Sequence, residues 1–231
     1  PPAAQIMRHL EIGYVLEGER RGYNFTTPTD GLAPDALKAI WRNAMPRGQG
    51  WNDYPAVRTL KCFGLETGEA VVCSVTVTDQ VDEVGRRGIR HADVYVMTLK
   101  EYRADLLNRL NQLPPAIITQ AEKALNSREW ELLFRKYREL SKPRTMIKPQ
   151  TILAYDGDWA FMEACVLLLM TRSTLLANLL EVSPAINPFA DRVFTFTTFA
   201  LDYRDEGRLV ALPLAKARQI EDVPYINLSA K

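Results

Sequence analysis

The sequence predicts an α+β protein with a mixed, mainly antiparallel sheet and helices packed on it. Segments with period-two alternation, typical of half-buried strands, dominate the first hundred residues and return near the end. Segments with helical periodicity are concentrated between them. Short turn signals join several neighbouring strand segments, and hairpins of this kind make a sheet antiparallel.

The first elements are two strands and a helix. Residues 9–18 place Leu10 and Ile12 on one side of an alternating run, which predicts a strand. Residues 22–31 form a short aromatic and β-branched run that ends in turn residues, so a second strand is expected there. Residues 33–44 are predicted to be a helix, because proline is favoured in a first turn and the apolar positions follow a helical period.

Three further strands follow a loop over residues 45–55. The runs "RTLKCFGLE" and "EAVVCSVTVTDQV" are predicted to be strands joined by a tight turn over residues 66–69. The next strand, "IRHADVYVM", is expected to pair with them as an antiparallel neighbour.

The middle of the chain, residues 99–140, is predicted to be helical, with the prolines at 114 and 115 ending one helix and starting another. Ser127 is expected to cap a third helix. A connection rich in proline and lysine follows over residues 141–150. The chain is therefore either one α+β domain over 1–231 or two subdomains, 1–140 and 150–231, and we favour a continuous sheet.

The C-terminal part is predicted to contain further strands and one apolar helix. The expected elements are a strand "TILAYD", a helix over 158–182, a long strand "VFTFTTFALDY", its hairpin partner "RLVALPL" across residues 204–207, and a short strand "VPYINL". The unbroken apolar run of that helix is Ala164–Met170, far shorter than the roughly 20 residues of a membrane span. We therefore expect a buried helix and no membrane partner.

Charge and cysteine content narrow the class of protein. With 29 basic and 28 acidic residues, the chain has no global field that would attract nucleic acid, so a nucleic-acid partner is not expected. Cys62, Cys73 and Cys165 show no paired spacing. This pattern is typical of buried thiols in a reducing compartment, which predicts a cytoplasmic protein.

Catalytic and cofactor motifs do not emerge from the sequence. It contains no P-loop and no glycine-rich dinucleotide motif, so no cofactor is expected. His9 and His91 are isolated, with no H-x-x-x-H or C-x-x-C spacing typical of zinc ligands, so no metal site is predicted. A catalytic arrangement would need His91 to meet Cys73 or Ser74 across the hairpin, with Asp93 nearby. We predict no catalytic residues and no enzyme.

The segment "DEVGRRGIRHADVYVM" holds the best candidates for binding. Its glycines are suited to a hairpin connection, in which the arginines would be solvated. Alternatively, the arginines and glycine amides recognise an acidic partner surface or a phosphate. Aromatic residues of the 45–55 loop are also typical of contacts between proteins. The predicted partner-binding residues are Arg86, Arg87, Arg90, His91, Trp51 and Tyr54.

Three stretches together resemble a known family. They are "GYNFTTPTDGLAPDALKAIW", "GRRGIRHADVYVM" and "LLANLLEVSPAINPFADRVFTFTTFALDY". The chain resembles the N-terminal domains of bacterial GTPase-associated proteins, which accompany small Ras-like GTPases and other NTPases in multi-component, defence-type systems. The resemblance implies an adaptor or regulatory module that has no active site of its own.

These inferences predict a non-catalytic adaptor that binds a protein partner, such as a small GTPase or another NTPase, in a bacterial cytoplasm. Two alternatives stay open. One is a small hydrolase or nuclease that uses His91 and nearby carboxylates, which requires these groups to converge in a pocket. The other is a subunit of a larger assembly whose activity lies elsewhere.

Overall fold

The computed structural model describes residues 7–19, 21–127, 132, 135–137, 150–172, 175, 193–205 and 207–229. The strands are β1 (Arg8–Val15), β2 (Gly22–Phe25), β3 (Arg58–Gly64), β4 (Ala70–Val77), β5 (Arg90–Met97), β6 (Thr151–Tyr155), β7 (Phe196–Thr197), β8 (Leu209–Pro213) and β9 (Ile226–Asn227). The helices are α1 (Pro34–Asn43), α2 (Leu99–Gln112), α3 (Pro115–Asn126), α4 (Trp159–Thr171) and α5 (Leu214–Ala217).

All nine strands belong to one mixed sheet with the order β2-β1-β5-β4-β3-β7-β8-β6-β9. The strands from β2 to β7 pair with antiparallel neighbours, whereas β7, β8, β6 and β9 run parallel to one another. The predicted α+β class and the antiparallel pairing of β5 with β4 are confirmed.

Helices cover both faces of this sheet. On one face, α2, α3 and α4 enclose the largest core cluster, which includes Cys62 and Val72. On the other face, α1 packs over Val71, Cys73 and Val94. Alternate residues of β4 thus enter opposite cores, as the period of a strand requires.

The apolar helix predicted over 158–182 is shorter in the structure. Helix α4 begins after Asp158, whose carboxylate accepts the N–H of Ala160, and ends at Thr171. Arg172 has an extended backbone, which ends the helix, and the segment 176–192 lies outside the described residues. Ten consecutive residues of α4 are buried, so it is a core helix. Among the described residues no helix is long and apolar enough to cross a bilayer.

The predicted hairpin between "VFTFTTFALDY" and "RLVALPL" is wrong. Only Phe196 and Thr197 of the first run form a strand, and this strand lies parallel to β8. After Thr197 the pairing with β3 becomes irregular, because threonine hydroxyls replace backbone carbonyls as acceptors, although Thr198 still donates its own N–H to Leu60 O at 2.9 Å. Thr198 Oγ1 accepts the N–H of Leu60 at 2.8 Å, and Thr59 Oγ1 accepts the N–H of Phe199 at 3.0 Å.

The chain then folds back to the start of β7, where Arg208 donates its N–H to Thr195 O at 2.9 Å. This return places β8 parallel to β7 instead of antiparallel. Within the described residues, β3 and β7 join the strands on either side of the 141–150 connection into one sheet. Residues 141–149 themselves lie outside the description, and the division into subdomains stays a prediction.

Candidate functional site

Two loops that the sequence predicts as contact surfaces meet at one end of the sheet. They are the connection between β4 and β5 and the loop that precedes β3. Gly88 has a φ of +84°, and a Cβ atom there would lie 2.7 Å from the backbone nitrogen of Asn52. Only glycine allows such a close approach without strain. The missing side chain at residue 88 therefore lets the two loops pack directly against each other.

Arg90 holds these loops together. Its guanidinium lies over the Trp51 ring at 4.9 Å and over the Tyr23 ring at 5.9 Å, and Nη1 donates to Pro46 O at 2.6 Å. Cation–π contacts of this kind stabilise a half-buried arginine. The aromatic partner Trp51 is only 5% exposed. Arg90 and Trp51 therefore support the two loops by packing between them. Direct contact of these two residues with a partner stays a prediction.

Tyr54 is half-buried and packs edge-on against Phe199, with 5.4 Å between the ring centroids. Burial raises the pKa of its hydroxyl. Phe199 also lies beside Trp51, at 6.1 Å between the ring centroids. The three rings thus form a small core beneath the loops, and Tyr54 is the most exposed of the three.

The tip of the β4–β5 connection, residues 81–87, is a tightly hydrogen-bonded turn that we call the Arg-Gly tip. The Asp82 carboxylate accepts the N–H groups of Val84 at 3.0 Å and Arg86 at 2.7 Å, and it also accepts Nε of Arg86 at 2.7 Å. Burial alone would raise the pKa of Asp82, but the hydrogen bonds from Arg86 and Val84 outweigh it and lower the pKa. Asp82 is therefore the centre of the turn.

The Arg-Gly tip is also tied to β1. Tyr14 donates its hydroxyl to Glu83 at 2.8 Å, and Gln80 Nε2 donates to Tyr14 O at 2.9 Å. Its own N–H and the hydroxyl of Tyr14 lower the pKa of Glu83. With both ends fixed, the tip points Val84 into solvent at 67% exposure, and Arg87 is exposed beside it.

A basic cleft of about 810 Å³ opens next to the same loops, at the carboxyl ends of β7 and β8. Its charged lining residues are Arg47, Arg90, Asp202, Arg204 and Lys216. Arg204 is ion-paired with Asp202, with 2.7 Å between Nη2 and Oδ2. Clefts at this edge of parallel strands are common ligand positions.

His91 lies on the opposite face of β5 from Arg90, and there the two histidines of the chain converge. His9 Nε2 lies 2.9 Å from Asp93 Oδ1, and His91 Nε2 lies 3.9 Å from the same oxygen. The expectation that the histidines are isolated is therefore wrong, because β1 and β5 are adjacent strands. The pattern His-x-acid, present at 9–11 and at 91–93, was the sequence signal for this cluster.

The structure fulfils only one requirement of the catalytic hypothesis, a carboxylate close to His91. His91 lies near a carboxylate, but it is opposite Thr76 on β4, and Ser74 is opposite Asp93. Cys73 enters the core on the other face, where burial raises its pKa to about 12. Cys73 therefore cannot be the nucleophile for His91.

No protein-family model matches the chain, and no curated protein shows significant similarity to it.

Proposed function

We propose that the chain is a non-catalytic, protein-binding adaptor whose contact surface is the Arg-Gly tip. The observation that carries this proposal is the 67% exposure of Val84 at the end of a turn that Asp82 holds rigid. This apolar side chain adds nothing to the core, and together with the exposed Arg86 and Arg87 beside it, it forms the apolar and arginine-rich combination typical of protein interfaces.

The turn is preorganised for binding. Ordering a flexible loop reduces affinity, because each immobilised side chain and backbone segment loses conformational entropy. Asp82 accepts two backbone N–H groups and one guanidinium, so the turn already has its hydrogen bonds in the free chain. The tip can therefore contribute its contacts with little reorganisation.

The chemistry of the tip defines the partner surface. Arg86 and Arg87 flank the apolar contact, and arginine is enriched at protein interfaces. A complementary partner has a small apolar depression next to acidic side chains. The resemblance to bacterial GTPase-associated proteins adds the class of partner, a small Ras-like GTPase or another NTPase of a multi-component system.

An affinity capture tests this proposal. The tagged chain is used to recover partners from its native cells, and recovery is quantified by mass spectrometry for wild type and for the double variant Val84→Asp/Arg87→Glu. Arg86 stays unchanged, because it supports the turn through Asp82. The matched control is Leu107→Asp, which alters a 48% exposed apolar residue on α2.

The expected result is an NTPase recovered with wild type and with Leu107→Asp, and reduced at least tenfold with the double variant. The purified partner should then show the same loss in a direct binding titration with the purified chains. Equal recovery with all three chains, or no partner at all, would overturn the proposal. A tip-dependent partner without an NTPase fold would refute only the class of partner.

A further inference from the structure

Two adjacent strands bring four side chains that can bind metal ions onto one open face of the sheet. His9 and Glu11 alternate along β1, and His91 and Asp93 alternate along β5. The ligand atoms of His9, Glu11 and Asp93 all lie within 4.8 Å of one another. His91 lies outside this group, but its Nε2 atom is 3.9 Å from Asp93 Oδ1, so a rotation of its side chain would bring a second imidazole to the site.

The pairing register places two negative charges directly opposite each other. Glu11 is the cross-strand partner of Asp93 in the antiparallel ladder. Like charges at such positions are unfavourable, because their Cβ atoms are only about 5 Å apart. A bound cation between the strands would convert this repulsion into attraction.

The surroundings hold both imidazoles in place. Tyr95 stacks on His9 with 4.8 Å between the ring centroids. The other ring lies against Gly13, where a Cβ atom would be at an ordinary contact distance of 3.5 Å from His91 Nδ1. Each histidine thus presents its Nε2 atom toward the Asp93 carboxylate.

We propose that His9, Glu11, Asp93 and His91 bind a first-row divalent transition metal ion, for which Zn²⁺ is the best match. Two imidazoles and two carboxylates are ligands that Zn²⁺ accepts in a tetrahedral arrangement. Neighbouring ligand atoms in such a site are about 3.3 Å apart. The two nitrogen–oxygen distances of 2.9 and 3.9 Å lie on either side of this value.

The site is accessible and its electrostatics favour a cation. The side chains of His9, Asp93 and His91 are 40%, 37% and 33% exposed, so an ion can enter from solvent. Arg109 stacks over Tyr95, but it is ion-paired with Asp105 at 2.6 Å, which offsets its charge. The site lies on the opposite side of β5 from Arg90, so this inference is independent of the proposed adaptor function.

A calorimetric titration of the metal-free full chain with Zn²⁺ tests the proposal. We expect one Zn²⁺ per chain with a Kd at or below about 10 μM. His9→Ala and Asp93→Asn should each weaken binding at least tenfold. Glu17→Gln, which alters an exposed carboxylate two residues after β1, should bind like wild type. The thiols of Cys62, Cys73 and Cys165 are buried and do not compete.

Two outcomes would overturn the proposal. One is the absence of saturable binding up to about 1 mM Zn²⁺. The other is equal affinity for wild type, His9→Ala and Asp93→Asn. If a variant fails to fold, the histidine ring signals in the NMR spectrum of wild type decide the matter. The chain has two histidines, and both ring signals must shift on addition of Zn²⁺.

Discussion

Lys61 of β3 and Asp205 of the loop after β7 form an ion pair in which both side chains are almost completely buried, with exposures of 1% and 0%. The second oxygen of Asp205 accepts the backbone N–H of Arg47 at 2.9 Å. This one carboxylate therefore fixes the 202–205 loop to the centre of the sheet and to the loop before β3. Both segments line the basic cleft.

Lys61→Met is expected to destabilise the fold by about 3–5 kcal/mol, because it leaves the Asp205 charge buried without its partner. The double variant Lys61→Met/Asp205→Asn should be more stable than the single variant, because Asn carries no charge to leave unpaired and can still accept the N–H of Arg47. The free energy of unfolding in urea measures both effects.

The exposed ion pair of Arg204 with Asp202 provides the control for this comparison, since the Arg204 side chain is 71% exposed. Solvent screens such a pair, so Arg204→Ala should leave the unfolding midpoint almost unchanged. A Lys61→Met variant as stable as Arg204→Ala would contradict the role assigned to the buried pair.

Substitutions at Gly85 and Gly88, in the connection between β4 and β5, distinguish the cost of backbone strain from the cost of a packing clash. Their φ angles are +83° and +84°, but a Cβ atom at Gly85 would meet nothing within 4 Å. Gly85→Ala should therefore cost about 1 kcal/mol, the penalty for a left-handed alanine. Gly88→Ala should cost clearly more, because its Cβ would collide with the backbone of Asn52.

Thermal unfolding of the two glycine variants measures this difference. The Tm of Gly88→Ala is expected to lie below that of Gly85→Ala, and only Gly88→Ala should change the fluorescence of the buried Trp51. Equal Tm values would show that the two loops do not rest on each other in solution.

The sequence alone was sufficient to predict the strands and helices that are specified by a pattern of neighbouring residues. The strands containing Val71–Val75 and Val94–Val96 alternate as predicted, and α1 follows from its proline and its apolar spacing. Interactions between distant segments decided the rest. The threonine hydroxyls that end β7 act on Leu60 and Phe199, about 140 residues apart, and no local pattern reveals them.

Contacts between distant segments also explain why the sequence revealed one candidate site and missed another. The His9 and Asp93 side chains are 84 residues apart, and only the pairing of β1 with β5 brings them together. Lys61 interrupts an apolar strand, and its partner lies 144 residues away. By contrast, the glycines and arginines of the Arg-Gly tip lie next to each other in the sequence, so that turn could be predicted.

The stability of the chain should depend on pH through Glu163. Burial raises its pKa above the ordinary value of 4.5, although Arg58 donates to both carboxylate oxygens at 2.8 and 3.2 Å and lowers it in part. The folded state then holds the proton more tightly than the unfolded state. Stability is therefore lost as pH rises from about 4.5 through the folded pKa.

Glu163→Gln should remove this dependence, because Gln does not ionise. The stability of the variant relative to wild type is expected to rise between pH 4.5 and the folded pKa and to be constant above it. Urea unfolding at pH 4 to 8 measures the difference, with Glu17→Gln as the exposed control. A difference that is independent of pH would refute the raised pKa.

Asp82 should control the shape of the Arg-Gly tip and, through it, binding of the proposed partner. Asp82→Ala removes the acceptor for the N–H groups of Val84 and Arg86. Amide hydrogen exchange at these two residues is expected to accelerate, whereas the core strands β4 and β5 should keep their protection. Asp79→Ala, at an exposed carboxylate of the same connection, should leave exchange at both amides unchanged.

Acid should reproduce the effect of Asp82→Ala in the wild-type chain. The hydrogen bonds keep the pKa of Asp82 below its ordinary value of 3.8, so the ionised carboxylate stabilises the turn above that value. This stabilisation is lost as pH falls through the lowered pKa. The amide NMR shifts of Val84 and Arg86 should therefore show, in wild type, a common titration below pH 3.8 that Asp82→Ala lacks, beside the titration of Glu83 that both chains share. Identical titration in both chains would show that another group holds the turn.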